Sequence, residues 1–166
     1  MIILGIDPGL SITGWGIIQK IDAMHYTVID QGAVYTTAHT GIAERIKIIY
    51  DSILDLIKNH APDIMAIEKL FFMKNTSARL GVGQARGVVL LAAEQRNIPI
   101  YEYAPKEVKL AITGYGSAGK DQLSHMVKTL LRLPQVPKPD DVADALAVAL
   151  CHANSYAIRD LQGVRK

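Results

Sequence analysis

The chain of 166 residues contains a single cysteine, Cys151. An internal disulfide framework is therefore excluded. Cys151 falls in an apolar helical pattern, which fits a packing role in a reducing compartment. No run of eighteen apolar residues occurs, so the sequence offers no membrane-spanning helix. A basic leader followed by a cleavage site is missing too, and the expected location is the cytoplasm. Internal repeats and low-complexity segments are absent. The five histidines read as ordinary surface or core residues.

An excess of charge of one sign is also missing, because the formal net charge is only +2. The distribution says more than the total. Between Lys69 and Arg132 there are ten Lys or Arg against four Asp or Glu, whereas the rest of the chain is net acidic. A basic middle set against acidic ends suits a polyanion held near carboxylates. The length fits one domain that buries roughly 70% of its unfolded surface.

What is present starts at the N-terminus. Ile2, Ile3, Leu4 and Ile6 form an apolar run too short for a buried helix, which predicts a central strand covered on both faces. It ends on Asp7, and Pro8-Gly9 stops further pairing. Residues 13–19 and 25–36 predict two more strands in an antiparallel meander, with Gly32 marking a bulge. Ile42, Ile46, Ile49, Ile53, Leu56 and Ile57 then follow helical spacing. Residues 63–68 predict a fourth strand, again closing on a carboxylate, Glu68.

A second helix is expected over 76–96. Gly81, Gly83 and Gly87 lie within it, each costing about 1 kcal/mol relative to alanine, so close packing on a partner is expected there. A fifth strand over 98–101 precedes helices at 104–112, 118–132 and 140–156. The order predicts an α/β fold with a mixed five-stranded sheet: a three-strand antiparallel meander plus two parallel strands, with helices on both faces. Asp7 and Glu68 would then end neighbouring parallel strands at one edge, where open α/β sheets bind ligands.

The last helix opens with Asp140-Asp141-Val-Ala-Asp144. Asp141 and Asp144, three apart, share a helix face. Acids at a helix start are also ordinary caps favoured by the dipole. Counted with Asp7 and Glu68, however, they make a four-carboxylate set that would repel itself without cations. All-oxygen donors point to Mg²⁺, with Mn²⁺ as the alternative, rather than zinc. The stretch Gly114 to Lys120 satisfies G-x-x-x-x-G-K, but Asp121 replaces the required Ser or Thr. A helix rather than a strand is expected before it, so a nucleotide-binding loop is rejected. Its glycines instead offer backbone N–H groups to phosphate, beside Lys120 and Lys109.

These motifs closely resemble the RuvC-type Holliday-junction resolvases of the RNase H-like nuclease superfamily. The resemblance is carried by Gly5-Ile6-Asp7-Pro8-Gly9, Ala66-Ile67-Glu68, Gly83-Gln84-Ala85-Arg86-Gly87 and Asp141-Val142-Ala143-Asp144-Ala145-Leu146-Ala147. It continues through Tyr101-Glu102-Tyr103-Ala104, Lys109, Gly114 to Ala118 and Lys120, and stops only in the tail. It implies an RNase H-like nuclease domain over 1–157, and the polar, basic residues 158–166 beyond it read as a flexible tail. Asp7, Glu68, Asp141 and Asp144 would be the catalytic metal-binding acids, with two ions per site. Asp140 adjoins Asp141 and stays open as its substitute, although it would point about 100° away on a helix.

The implied activity is resolution of four-way DNA junctions by paired symmetric nicks in recombination and repair. A homodimer matches the two-fold symmetry of that substrate, and a branch-migration helicase is the implied partner. Phe71 is expected to insert against bases near the crossover. Lys69 and Lys74 flank it and suit phosphates, with Lys109, Lys120 and Arg86 as further DNA contacts. The alternatives are an RNase H-like nuclease acting on another branched or hybrid substrate, a non-catalytic junction-binding protein, and an actin-like phosphotransferase. The length argues against the last, which needs two related domains.

Overall fold

A computed structural model describes residues 1–22, 25–69 and 76–161. The first apolar run forms β1 (Ile2–Asp7), and β2 (Ile12–Lys20) pairs with it antiparallel. β3 (Tyr26–Tyr35) pairs antiparallel with β2. α1 (Ile42–His60) leads to β4 (Ile64–Glu68), which lies parallel to β1. α2 (Thr76–Glu94) leads to β5 (Ile100–Tyr103), parallel to β4. α3 (Pro105–Thr113), α4 (Lys120–Leu130) and α5 (Asp140–Leu161) follow. The sheet order β3-β2-β1-β4-β5 is the mixed five-stranded arrangement expected from the sequence.

Side chains alternate across a strand, and here that alternation separates two cores. Leu4, Ile6, Ile17, Met65 and Ile67 pack with Ile49 and Ile53 of α1 and with Ala85 and Val89 of α2. Ile3, Ile18, Ile64, Ala66 and Tyr103 face the other way. They pack with Val108, Ile112, Leu123, Val127, Leu146 and Leu150 of α3, α4 and α5. By the same alternation Asp7 and Glu68 project towards the layer that contains α5.

α5 reaches the sheet closely because the sheet is bare beneath it. A Cβ on Gly5 would lie 2.1 Å from the Ala145 carbonyl oxygen and 2.8 Å from Ala149 Cβ. A Cβ on Gly14 would lie 2.0 Å from the Asp141 carbonyl oxygen. No side chain fits either gap, so these glycines set the depth at which the helix start rests.

Three expectations are corrected. The irregularity in the meander is not at Gly32, which pairs in register with Trp15. It falls at Ile29, the residue left over where Ile17 pairs with Asp30 and Ile18 with Val28. Gly32 instead makes room for the Trp15 indole, whose Cζ2 would stand 2.8 Å from an added Cβ. α5 runs on to Leu161 rather than ending at 156. β5 is shifted to Ile100–Tyr103, since residues 95–97 form the turn that closes α2.

Candidate active site

The site begins with the turn that holds Asp7. Thr13 Oγ1 donates to the Gly9 carbonyl at 2.6 Å, and Thr36 donates through its hydroxyl to the Leu10 carbonyl. The buried Arg45 guanidinium donates to Thr36 Oγ1 at 2.8 Å and to Ser11 Oγ at 3.0 Å. α1 thereby clamps the chain that leaves β1. Pairing of Ile6 with Ile67 then puts the Asp7 end of β1 beside the Glu68 end of β4.

Asp7, Glu68 and Asp144 line one cleft of about 350 Å³ together with Lys109, Lys120, Pro105, Val108, Leu123 and Val148. Acids from two strands and one helix therefore meet there, with two lysines from the α3–α4 side of the wall. α3 is set in place by Pro105 at its start and by Glu107, whose carboxylate accepts the Ala104 N–H at 2.7 Å. Pro at the first helical turn and a Glu reaching back to the cap are both favourable helix starts.

The electrostatics follow from this crowding. Asp7 is pushed up from 3.8 to about 7, first by burial and then by the charges of Glu68, Asp144 and Asp141, with Lys120 opposing. Burial and the Asp144 charge also raise Glu68, against Lys120 and Lys109. Asp144 is raised by burial, while Lys120 pulls the other way. The Lys120 ammonium lies 3.6 Å from Asp144 Oδ2 as an ion pair. Asp140 behaves differently. Lys138 donates to it at 2.7 Å and holds its carboxyl below the usual range; it is not among the main charges that raise Asp7, although it adds to the field on Asp144 and Lys120.

Among the described residues, no three His, Cys, Asp or Glu side chains are already closed around one ion position. The acids share a field and a cleft rather than a finished cage. The donor chemistry nevertheless fits a hard divalent cation, because a raised, half-buried, all-carboxylate set gains most from one.

The other expected residues fall in different places. Lys69 is exposed, and its backbone N–H donates to the Tyr103 carbonyl at 2.8 Å. Arg86 does not join the cleft wall; its Nη2 donates to Glu102 at 2.5 Å, linking α2 to β5. Phe71 and Lys74 lie outside the described residues. Pro105, Val108 and Leu123 were not singled out in the sequence, because an apolar helical stripe carries no sign of which residue will border a cleft. Gly14 was missed for a similar reason, since its function depends on a helix 127 residues downstream.

Comparison with known proteins agrees with this arrangement. The family profile described as crossover junction endodeoxyribonuclease RuvC matches residues 3–152. A protein of that name from Halothermothrix orenii is 50% identical over 165 residues, covering 99% of both chains. Another from Desulforamulus reducens is 54% identical over 153 residues, covering 92% of this chain and 93% of the relative. Among solved structures, T. thermophilus RuvC in complex with Holliday junction substrate superposes with a TM-score of 0.91 at 34% identity, covering 95% and 96% of the two chains. The yeast mitochondrial resolvase Ydc2 shares the fold, with a TM-score of 0.66 at 15% identity. Two buried strands closing on acids, a helix start lowered onto them and a match over nearly the whole length lead to one conclusion: this chain belongs to the crossover junction endodeoxyribonuclease RuvC family.

Proposed function

We propose that the chain nicks four-way DNA junctions by metal-assisted phosphodiester hydrolysis, with Asp7, Glu68, Asp141 and Asp144 as the metal-binding catalytic acids. The observation that carries this reading is the single cleft shared by Asp7, Glu68 and Asp144 with Lys109 and Lys120. Mg²⁺, two ions per site, would supply acidification of the attacking water and charge neutralisation at the leaving oxygen. Asp7, at a strand end whose following turn is clamped by Thr13, Thr36 and Arg45, would hold the metal together with Glu68, Asp141 and Asp144. Asp141 is among the main charges that raise Asp7, and its backbone is seated on Gly14, the cross-strand partner of Asp7, which supports Asp141 as the fourth acid.

Lys109 and Lys120 add positive charge to the cleft beside the acids, where a scissile phosphate would lie. Lys69, Lys74 and Phe71 extend the DNA contact along the segment after Glu68. Arg86, engaged by Glu102, is left with a share in holding α2 to the sheet. We assign the homodimer contact to α2. Positions 83 and 87 would offer an added Cβ open space, and Leu80 and Leu91 are exposed on the same helix. A branch-migration helicase partner and a cytoplasmic location belong to the same reading. Among the described residues no helix is long and apolar enough to cross a membrane.

Synthetic-junction cleavage by wild type and Asp7→Asn tests the assignment. Junction binding should survive the substitution and nicking should be lost. Undiminished nicking would remove Asp7 from the catalytic set, and cleavage of flap or RNA–DNA substrates in preference to junctions would favour another nuclease specificity.

A further inference from the structure

We infer that the buried Tyr103–His152 hydrogen bond is a positioning brace that sets the spacing between Glu68 and Asp144. The inference rests on the metal-binding reading of those two acids.

Tyr103 is the last residue of β5 and pairs in register with Glu68. Its backbone carbonyl accepts the N–H of Lys69, the residue directly after Glu68, at 2.8 Å. Its hydroxyl is hydrogen-bonded to His152 Nδ1 of α5 at 2.7 Å, and both side chains are fully buried. One residue thus grips the chain at Glu68 through its backbone and α5 through its side chain. His152 follows Asp144 on the same helix, about 12 Å along the axis.

The imidazole is fixed in orientation as well as position. The Tyr101 ring lies 4.5 Å away, centroid to centroid, at 56°, and the Tyr103 ring 5.8 Å away at 81°. Tyr101 and Tyr103 share a face of β5, so His152 is held between two rings of one strand.

A directional contact matters here because much of the seam is smooth, and the other polar ties of this part of α5, from Lys20 to the Ala153 carbonyl and from Tyr26 to Asn154, run to β2 and β3 rather than to the strand paired with Glu68. α5 presents Ala145, Ala149 and Ala153 as buried residues, and the strand beneath Ala145 and Ala149 carries Gly5. Burial of such surfaces is favourable but non-directional. It fixes the depth of the helix far better than its position along its own axis. A hydrogen bond prefers a narrow range of length and angle and resists axial slip. Displacement of α5 along its axis would change the distance from Asp144 to Glu68 directly.

The test uses Tyr103→Phe, His152→Gln and His152→Asn in the full chain. Asn places its amide close to the Nδ1 position, whereas Gln carries it away towards Nε2. Mn²⁺ binding is followed by calorimetry without DNA, junction binding in chelator by gel shift, and nicking as separate kcat and KM values. Tyr103→Phe and His152→Gln should weaken Mn²⁺ affinity and lower kcat by about tenfold, with junction binding and KM unchanged. His152→Asn should recover most of the loss. If Tyr103→Phe does not fold, the Gln and Asn pair at position 152 still decides the matter. Lower thermal stability with unchanged Mn²⁺ affinity and kcat would reduce the pair to core packing and overturn the brace. Wild-type protein that neither binds Mn²⁺ nor nicks junctions would overturn the metal reading, and the brace with it.

Discussion

The carbonyl oxygen of Asp141 lies 2.0 Å from the point where a Cβ on Gly14 would stand, and Gly14 is the cross-strand partner of Asp7. The start of α5 is therefore seated on the residue beside the strand-end acid, with no room for even a methyl group. Gly14→Ala should force the helix start outward. Overpacking of this kind costs roughly 1–3 kcal/mol. Urea denaturation should show that loss, and junction nicking should fall further than junction binding. A variant as stable and as active as wild type would mean that α5 is not seated by Gly14.

Metal-free stability should depend on pH through Asp7. Its carboxyl holds a proton more tightly in the folded chain than in the unfolded one, with about 7 against 3.8. Well below 3.8 both states are protonated and the group has no effect. As pH rises from 3.8 to about 7 the unfolded state ionises first, so folding stability falls, and the penalty is complete above 7. Each unit of separation corresponds to about 1.4 kcal/mol. In chelator, wild type should melt lower at pH 8 than at pH 5, and Asp7→Asn should flatten that difference. Mg²⁺ should restore the wild-type melting temperature at pH 8 and leave the variant nearly unchanged. A wild-type melting curve independent of pH would contradict the crowding of charge around Asp7.

The two adjacent acids at the start of α5 should separate cleanly. Neither borders the cleft directly, but Asp140 is paired with Lys138, whereas Asp141 is among the main charges that raise Asp7. Asp140→Asn should nick junctions as wild type does. Asp141→Asn should lose roughly 10–100-fold in activity or metal affinity. The reverse result, measured as cleavage rate against Mg²⁺ concentration, would exchange their assignments.

α2 gives a prediction about assembly. Gly87 is exposed and would meet nothing with an added Cβ. Gly87→Arg should gain up to about 1 kcal/mol of helix stability in the monomer. It should also disrupt a dimer built on that face. Sedimentation or light scattering should report a monomer that still melts no lower than wild type and no longer makes paired nicks. Retention of the dimer would move the contact to another face.

Much of this was legible in the sequence because it depends on local pattern. Short apolar runs that close on Asp7 and Glu68 identify buried strands with acids at one edge. Helical spacing over 42–57 identifies α1. What could not be read depends on distant partners. Nothing local distinguishes Gly14, which admits α5, from Gly32, which admits an indole. Arg86 reads as a free cation until Glu102 of β5 comes beside it. The placement of Ile29 outside the ladder arises from the pairing of two strands and leaves no mark in either one.

Residues 7, 68 and 144 arrive at the cleft from three widely spaced parts of the chain. A ribosome therefore has to release almost the entire polypeptide before these three acids can meet. With Asp144 assigned as a metal-binding acid, a C-terminally truncated product lacking α5 should keep all five strands and still fail to nick junctions.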